Sequence, residues 1–150
     1  MKIAIGSDHA AYEMKEIVKN LLLSKNLEVI DCGTYSADRA DYPEYAIKVS
    51  NEVLQQNITG ILLCGSGIGV SIVANRFKGI RAALCRSAND AEMARKHNDA
   101  NILCLGARVS SEADVKKIID AWFANSFEGG RHADRLKIFE NLGEKPGVSC

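Results

Sequence analysis

At 150 residues and 47% hydrophobic content, the chain has single-domain length and can fold around one core without a disulfide or metal. Nineteen basic and nineteen acidic residues cancel, and no block of like charge reaches five, which excludes the usual footprint of a nucleic-acid binder or membrane-surface protein. The partner is therefore expected to be small. The opening MKIAIGSDH turns polar too early for a signal peptide, and no apolar run reaches the roughly 18 residues of a membrane span, so a cytoplasmic location is expected. Five cysteines at 32, 64, 85, 104 and 150 make an odd set with no C-x-x-C pair, so neither a disulfide framework nor a zinc motif is expected.

Apolar runs of strand length recur at Lys2–Gly6, Leu27–Asp31, Gly60–Cys64, Ile80–Cys85 and Asn101–Leu105, each followed by a segment with helical periodicity. In the first such segment Met14, Ile17, Val18, Leu21 and Leu22 line one face. In the fifth, Val115, Ile118, Ile119, Trp122 and Phe123 do the same. Pro43 in DYP marks the first turn of the second helix, and SSEAD at Ser110–Asp114 opens the fifth with a serine cap. Arg131 to Leu142 reads as an extra C-terminal helix without a strand, and the tail from 136 to 150 carries no further signal. Strands that are apolar on both faces and alternate with single helices predict one α/β domain over 1–150. Its architecture is a three-layer α/β/α sandwich with a five-stranded parallel, Rossmann-like sheet of unread strand order.

Pockets in such sheets form beyond the carboxyl ends of the strands. The residues just after each run are Ser7, Asp8 and His9; Gly33; Cys64 to Gly69; Arg86; and Gly106 to Arg108. CGSGIG is the most informative of these. It follows the third strand, lacks the G-x-G-x-x-G spacing and has no acid some 20 residues on, so it does not read as a dinucleotide loop. No Gly-Lys-Ser/Thr closes it as a phosphate loop either. The amides of Gly65, Gly67 and Gly69 instead suit an oxyanion that appears during a reaction, and the same field favours a thiolate at Cys64. Ser66 adds a hydroxyl that can pass a proton. The simpler alternative for Cys64 is a buried strand-end thiol.

Asp8 and His9 would enter the same crevice, where a histidine can offer a cationic donor to an anion. His97 ends the fourth helix, in a position that also suits a capping histidine. Arg131 and Arg135, four residues apart, form a fork suited to phosphate or, more simply, a solvated basic face; Arg108 is a further candidate. His9, His97 and His132 match no metal-ligand spacing, and no metal or cofactor is expected.

IGSDHAAY, VIDCGTYS, DYPEYA, CGSGIGVSIVANRFKGIRAAL, RKHNDANIL, LGARV and EGGRHADR follow one another across residues 3 to 135. Together they resemble the ribose-5-phosphate isomerase B family, which includes isomerases of allose and galactose phosphates. The resemblance implies an aldose–ketose isomerase that interconverts ribose 5-phosphate and ribulose 5-phosphate, a step of the non-oxidative pentose phosphate pathway, without a metal or other cofactor. It puts the proton-moving base on Cys64, the enediolate in the loop Gly65 to Gly69 with Ser66 assisting, and furanose ring opening on His97. Asp8, Tyr42 and Asn98 would then touch the sugar, and His9, Arg131, Arg135 and Arg108 the phosphate. It further implies a homodimer, or a dimer of dimers, with sites shared between subunits, so that His97, Asn98 and some arginines face the Cys64 of a neighbour. Ala11 stands where relatives often have glycine, and the region after the loop, GVSIVAN, lacks the glutamate that some relatives use in place of the cysteine. A six-carbon sugar phosphate is the alternative substrate, and a non-catalytic phosphosugar-binding or nucleotide-binding module is the alternative class.

Overall fold

The computed structural model describes residues 1–143; Cys150 and the end of the tail lie outside the described residues. Strands β1 (Lys2–Ser7), β2 (Glu28–Asp31), β3 (Thr59–Cys64), β4 (Ala82–Leu84) and β5 (Ile102–Gly106) form one parallel sheet in the order β2-β1-β3-β5-β4. They alternate with α1 (Tyr12–Ser24), α2 (Tyr42–Gln56), α3 (Ile68–Ala74), α4 (Ala88–Asn98) and α5 (Glu112–Ala124), and α6 (Arg131–Phe139) follows without a strand. The three-layer sandwich is therefore as expected. No helix among the described residues is long and apolar enough to cross a membrane.

Alternation along the strands sends side chains to two cores. Ile3, Ile5, Ile61, Leu63, Leu103 and Leu105 meet α1, α4 and α5 on one face, with Trp122 buried among them. Ala4, Leu62, Cys64, Ile102 and Cys104 meet α2 and α3 on the other. Helix α2 approaches closely because Gly6 and Gly60 present no side chain to it: a Cβ at either would lie 2.8 Å from a methyl group of Val49. Local caps agree with the sequence. Asp41 precedes the Pro43 turn of α2, Ser87 forms a capping box with Asp90 on α4, and Ser111 accepts from Asp114 N–H on α5.

Three expectations are corrected. Strand β4 covers only Ala82–Leu84 of the apolar run Ile80–Cys85, since side-chain amides take its backbone groups where a neighbouring strand would otherwise pair. Arg81 N–H donates to Asn101 Oδ1 at 2.8 Å, Ala82 N–H to Asn75 Oδ1 at 2.9 Å, and Asn75 Nδ2 to the Ala82 carbonyl at 2.9 Å. Helix α6 ends at Phe139 rather than Leu142, whose N–H turns back to the Phe139 carbonyl at 3.0 Å. On α1, Ile17 is exposed, and the fully buried positions are Lys15, Val18 and Leu22.

Lys15 is tolerated inside because its charge is met. Its Nζ lies 2.8 Å from both Asp31 carboxylate oxygens and 2.7 Å from Glu16, and Lys19 joins the same carboxylates at 2.9 and 2.7 Å. Burial alone would raise the Asp31 carboxyl, but hydrogen bonds from Lys15, Lys19 and Gly33 N–H outweigh it and hold the group below the usual carboxylate range. Hydrogen bonds from the two lysines lower Glu16 likewise. Because both folded-state values are depressed, their stabilisation is fully present above the unfolded values of about 4 and is lost as pH falls through the folded ones. Asp31→Ala strands most of a buried charge and is expected to cost about 3 kcal/mol at neutral pH. Urea titration should also show the variant losing less stability than wild type between about pH 5 and pH 2. A loss below about 0.5 kcal/mol, the scale of an ordinary surface substitution, would show that the network contributes little.

Candidate active site

The order β2-β1-β3-β5-β4 sends the chain to opposite sides after β1, so the crevice lies between the carboxyl ends of β1 and β3. Asp8 and His9 leave the first strand there, and Cys64 to Gly69 leave the third. Asp8, His9, Tyr42, Cys64, Gly65, Ser66, Gly69 and Arg108 together line a cleft of about 470 Å³, with Ala10 and Val109 completing its wall. Eight residues singled out in the sequence thus converge.

Cys64 closes β3 with 4% of its surface exposed, and the Gly67 N–H donates to its Sγ at 3.1 Å. Gly67 reaches that position with φ of 77°, in the left-handed region that favours glycine. A Cβ there would stand 2.6 Å from Leu84 Cδ1 and 2.9 Å from the Leu105 carbonyl carbon. Ser66 Oγ accepts from Ile68 N–H at 3.2 Å. The N–H groups of Gly65, Ser66 and Gly69 have no partner among the described residues, so three amides remain for a ligand beside the sulfur. Tyr42 packs on Gly69, where a Cβ would meet the ring at 2.8 Å, and the Arg108 side chain lies 3.4 Å from the place a Gly65 Cβ would take.

The other thiols among the described residues are in different surroundings. Burial, reinforced by the negative charges of Glu52 and Asp31, pushes Cys32 up to about 11. Burial and Asp90 push Cys85 up to about 12, and complete burial carries Cys104 well above the ordinary thiol value.

Asp8 has a structural task as well, since its Oδ1 accepts from Ala11 N–H at 3.2 Å and caps the short 3₁₀ turn His9–Ala11. His9 Nδ1 sits 3.0 Å from the Ala40 carbonyl and 3.2 Å from Ala40 N, so the neutral ring can accept there and the protonated ring can donate. Its Nε2 has no partner among the described residues and is free for a ligand.

The remaining expected residues do not line this cleft. His97 and Asn98 end α4, and Arg131 and Arg135 lie on α6. His97 stacks on His132 with centroids 4.2 Å apart and planes within 11°, and its Nε2 lies 3.9 Å from Glu128 Oε2. Burial lowers the proton affinity of His132, and the neighbouring His97, Arg131 and Arg135 lower it further. Neither Glu128 nor the stacking role of His132 is evident from sequence spacing, because their neighbour His97 lies some 30 positions earlier. The only local sign is EGGRH, which keeps a carboxylate and an imidazole one turn apart.

Comparison with known proteins follows the same lines. A family model described as Ribose/Galactose Isomerase matches residues 3–139. Ribose-5-phosphate isomerase B of Escherichia coli (strain K12) is 44% identical over 145 residues, 96% of this chain and 97% of that protein. The solved structure of a ribose 5-phosphate isomerase from Thermotoga maritima matches with a TM-score of 0.91 at 51% identity, over 94% of this chain and 98% of that one. Ribose-5-phosphate isomerase B of Mycoplasma genitalium, solved with bound ribulose 5-phosphate, matches with a TM-score of 0.89 at 39% identity over 93% of both chains. With a family match spanning nearly all the described residues and relatives well above a third identical along their whole length, the chain belongs to the ribose/galactose isomerase family.

Proposed function

We propose that the protein interconverts D-ribose 5-phosphate and D-ribulose 5-phosphate through a cis-enediolate, as an aldose–ketose isomerase of the cytoplasm. The observation that carries this reading is the placement of the Cys64 sulfur, held by Gly67 N–H, directly beside the unpartnered amides of Gly65, Ser66 and Gly69. A base and an oxyanion site then reach neighbouring carbons of one substrate.

In the open-chain aldose the C1 carbonyl acidifies the proton on C2. The Cys64 thiolate takes that proton, and charge moves to O1, where the loop amides meet it. Ser66 gives a proton to O1 and accepts one from O2, after which the Cys64 thiol returns its proton to C1 and the ketose forms. Asp8 and Tyr42 orient the hydroxyls, and His9 Nε2 with Arg108 receives the phosphate. In this reading a second copy of the chain supplies His97 for ring opening, Asn98 for a hydroxyl, and Arg131 and Arg135 for the phosphate. That arrangement explains why four residues of one functional set stand away from the cleft of their own chain.

The deciding experiment measures ribulose 5-phosphate formation from ribose 5-phosphate in chelator-containing buffer, beside allose 6-phosphate and galactose 6-phosphate. Turnover is expected to be fastest on the pentose. Turnover confined to a hexose phosphate would move the substrate to six carbons, and tight binding without turnover would replace the isomerase with a binding module. For the phosphate anchor, hydrogen bonds to a charged group contribute about 1.5–3 kcal/mol, so Arg135→Ala is expected to raise KM by about 10- to 100-fold with kcat nearly constant. Kinetics equal to wild type would return Arg135 to the solvated face of α6.

A further inference from the structure

We propose that His97, Glu128 and His132 form a binding site for a divalent cation of the zinc class, and that its occupation inhibits the isomerase by engaging the His97 imidazole. The inhibition rests on the role given to His97 above; the binding does not. The three residues come from separate elements: the last turn of α4, the loop before α6, and the first turn of α6. One donor atom from each lies within 4.8 Å of the other two. Three points so spaced have a centre no farther than about 2.8 Å from each, against zinc–ligand distances of about 2.0–2.2 Å, and because the two rings now stack within 11°, binding also requires one imidazole to turn out of the stack and aim its lone pair at the ion.

The grouping is held by backbone as well as by side chains. Glu128 N–H donates to the Lys96 carbonyl at 3.0 Å, which fastens the loop to the end of α4 beside His97, and His132 N–H donates to the Gly129 carbonyl at 3.1 Å. Glu128 and His97 keep 51% and 38% of their side-chain surfaces exposed in the single chain, and where His97 faces a neighbour's cleft an ion arrives by the route the substrate takes. Two imidazoles and one carboxylate suit zinc and its d-block neighbours rather than magnesium or calcium, which prefer all-oxygen shells. Arg131 and Arg135, close enough to influence His132, oppose a cation, and Lys96 lies 4.0 Å from Glu128. Binding is therefore expected to be reversible and stripped by chelators.

Zinc chloride titrated calorimetrically into the chelator-treated full chain carrying Cys64→Ser, which removes the competing cleft thiol, is expected to fill one site per chain. Adding Glu128→Gln or His132→Ala should weaken that binding at least about tenfold, the effect already seen when outer-shell partners of metal sites are lost. Equal affinity in all three proteins, or no binding, would overturn the site. Glu128 is half exposed and makes no buried contact that folding needs, so its variant remains informative if His132→Ala unfolds. In the otherwise wild-type enzyme, zinc should depress turnover and a chelator restore it, while Glu128→Gln keeps basal turnover and resists zinc. Equal zinc inhibition of both enzymes, or zinc bound here without inhibition, would overturn the regulatory half. Should no sugar phosphate be turned over at all, the isomerase reading fails, and the calorimetry still decides the site.

Discussion

Cys64→Ala is expected to lower turnover of ribose 5-phosphate by on the order of 10³-fold or more, with KM close to the wild-type value. General acid–base groups typically contribute about 10²–10⁴-fold, and here one group is asked both to remove and to return the proton. No other thiol among the described residues can substitute. Cys32 and Cys85 are pushed up to about 11 and 12, and Cys104 is completely buried. The methyl group of alanine fills most of the volume at the end of β3, so the fold should survive, which the thermal midpoint and the far-ultraviolet circular dichroism would verify. Cys64→Ser makes the same point more narrowly: its hydroxyl still accepts the Gly67 N–H but is a far weaker base at neutral pH. Initial rates measured in both directions would decide, and a variant within tenfold of wild type would remove Cys64 from the proton transfer.

Gly67→Ala is expected to reduce turnover by on the order of 10²–10³-fold, the scale of one lost preorganised donor, here the N–H that holds the Cys64 sulfur. Left-handed backbone costs a non-glycine residue about 1–2 kcal/mol. The added Cβ would also stand 2.9 Å from the Leu105 carbonyl carbon, which is backbone of a central strand and cannot swing aside. The loop must therefore move, and its N–H leaves the sulfur it now meets at 3.1 Å. The loss should fall chiefly on kcat, since the phosphate contacts assigned to His9 and Arg108 come from other segments. A crystal structure of the variant with an unmoved loop and undiminished kcat would show that this amide is dispensable.

The strands and the cysteine–glycine loop were legible because their signals are local: a run of apolar residues, then a change of period at Cys64. Strand order was not, because pairing β5 between β3 and β4 depends on where α4 and α5 pack, and no short stretch encodes that. Lys15 shows another limit. A lysine three residues before Val18 fits the buried stripe of α1 geometrically, but its burial is tolerable because Asp31, on a different element, meets its charge together with the adjacent Glu16, and Ile17 is left outside. Within the site, Asp8, His9, Cys64 and Arg108 could be named from their places after strands. Tyr42 and Asn98 follow from family resemblance alone, and Glu128 from neither route.

Asn75 has a consequence beyond the length of β4. Its amide presents to Ala82 the donor and acceptor that an added strand would present, and at the opposite margin of the sheet the Tyr35 hydroxyl covers the Asp31 carbonyl at 2.8 Å. Each rim is thus blocked at one residue by a side chain of the same molecule, which discourages growth of the sheet by recruitment of a neighbour's backbone. The large apolar side chains that this chain exposes include Ile68 and Ile72 on α3 and Val109 in the wall of the cleft. Any association of copies is thereby directed to helices and loops rather than to edge-to-edge stacking of the sheet.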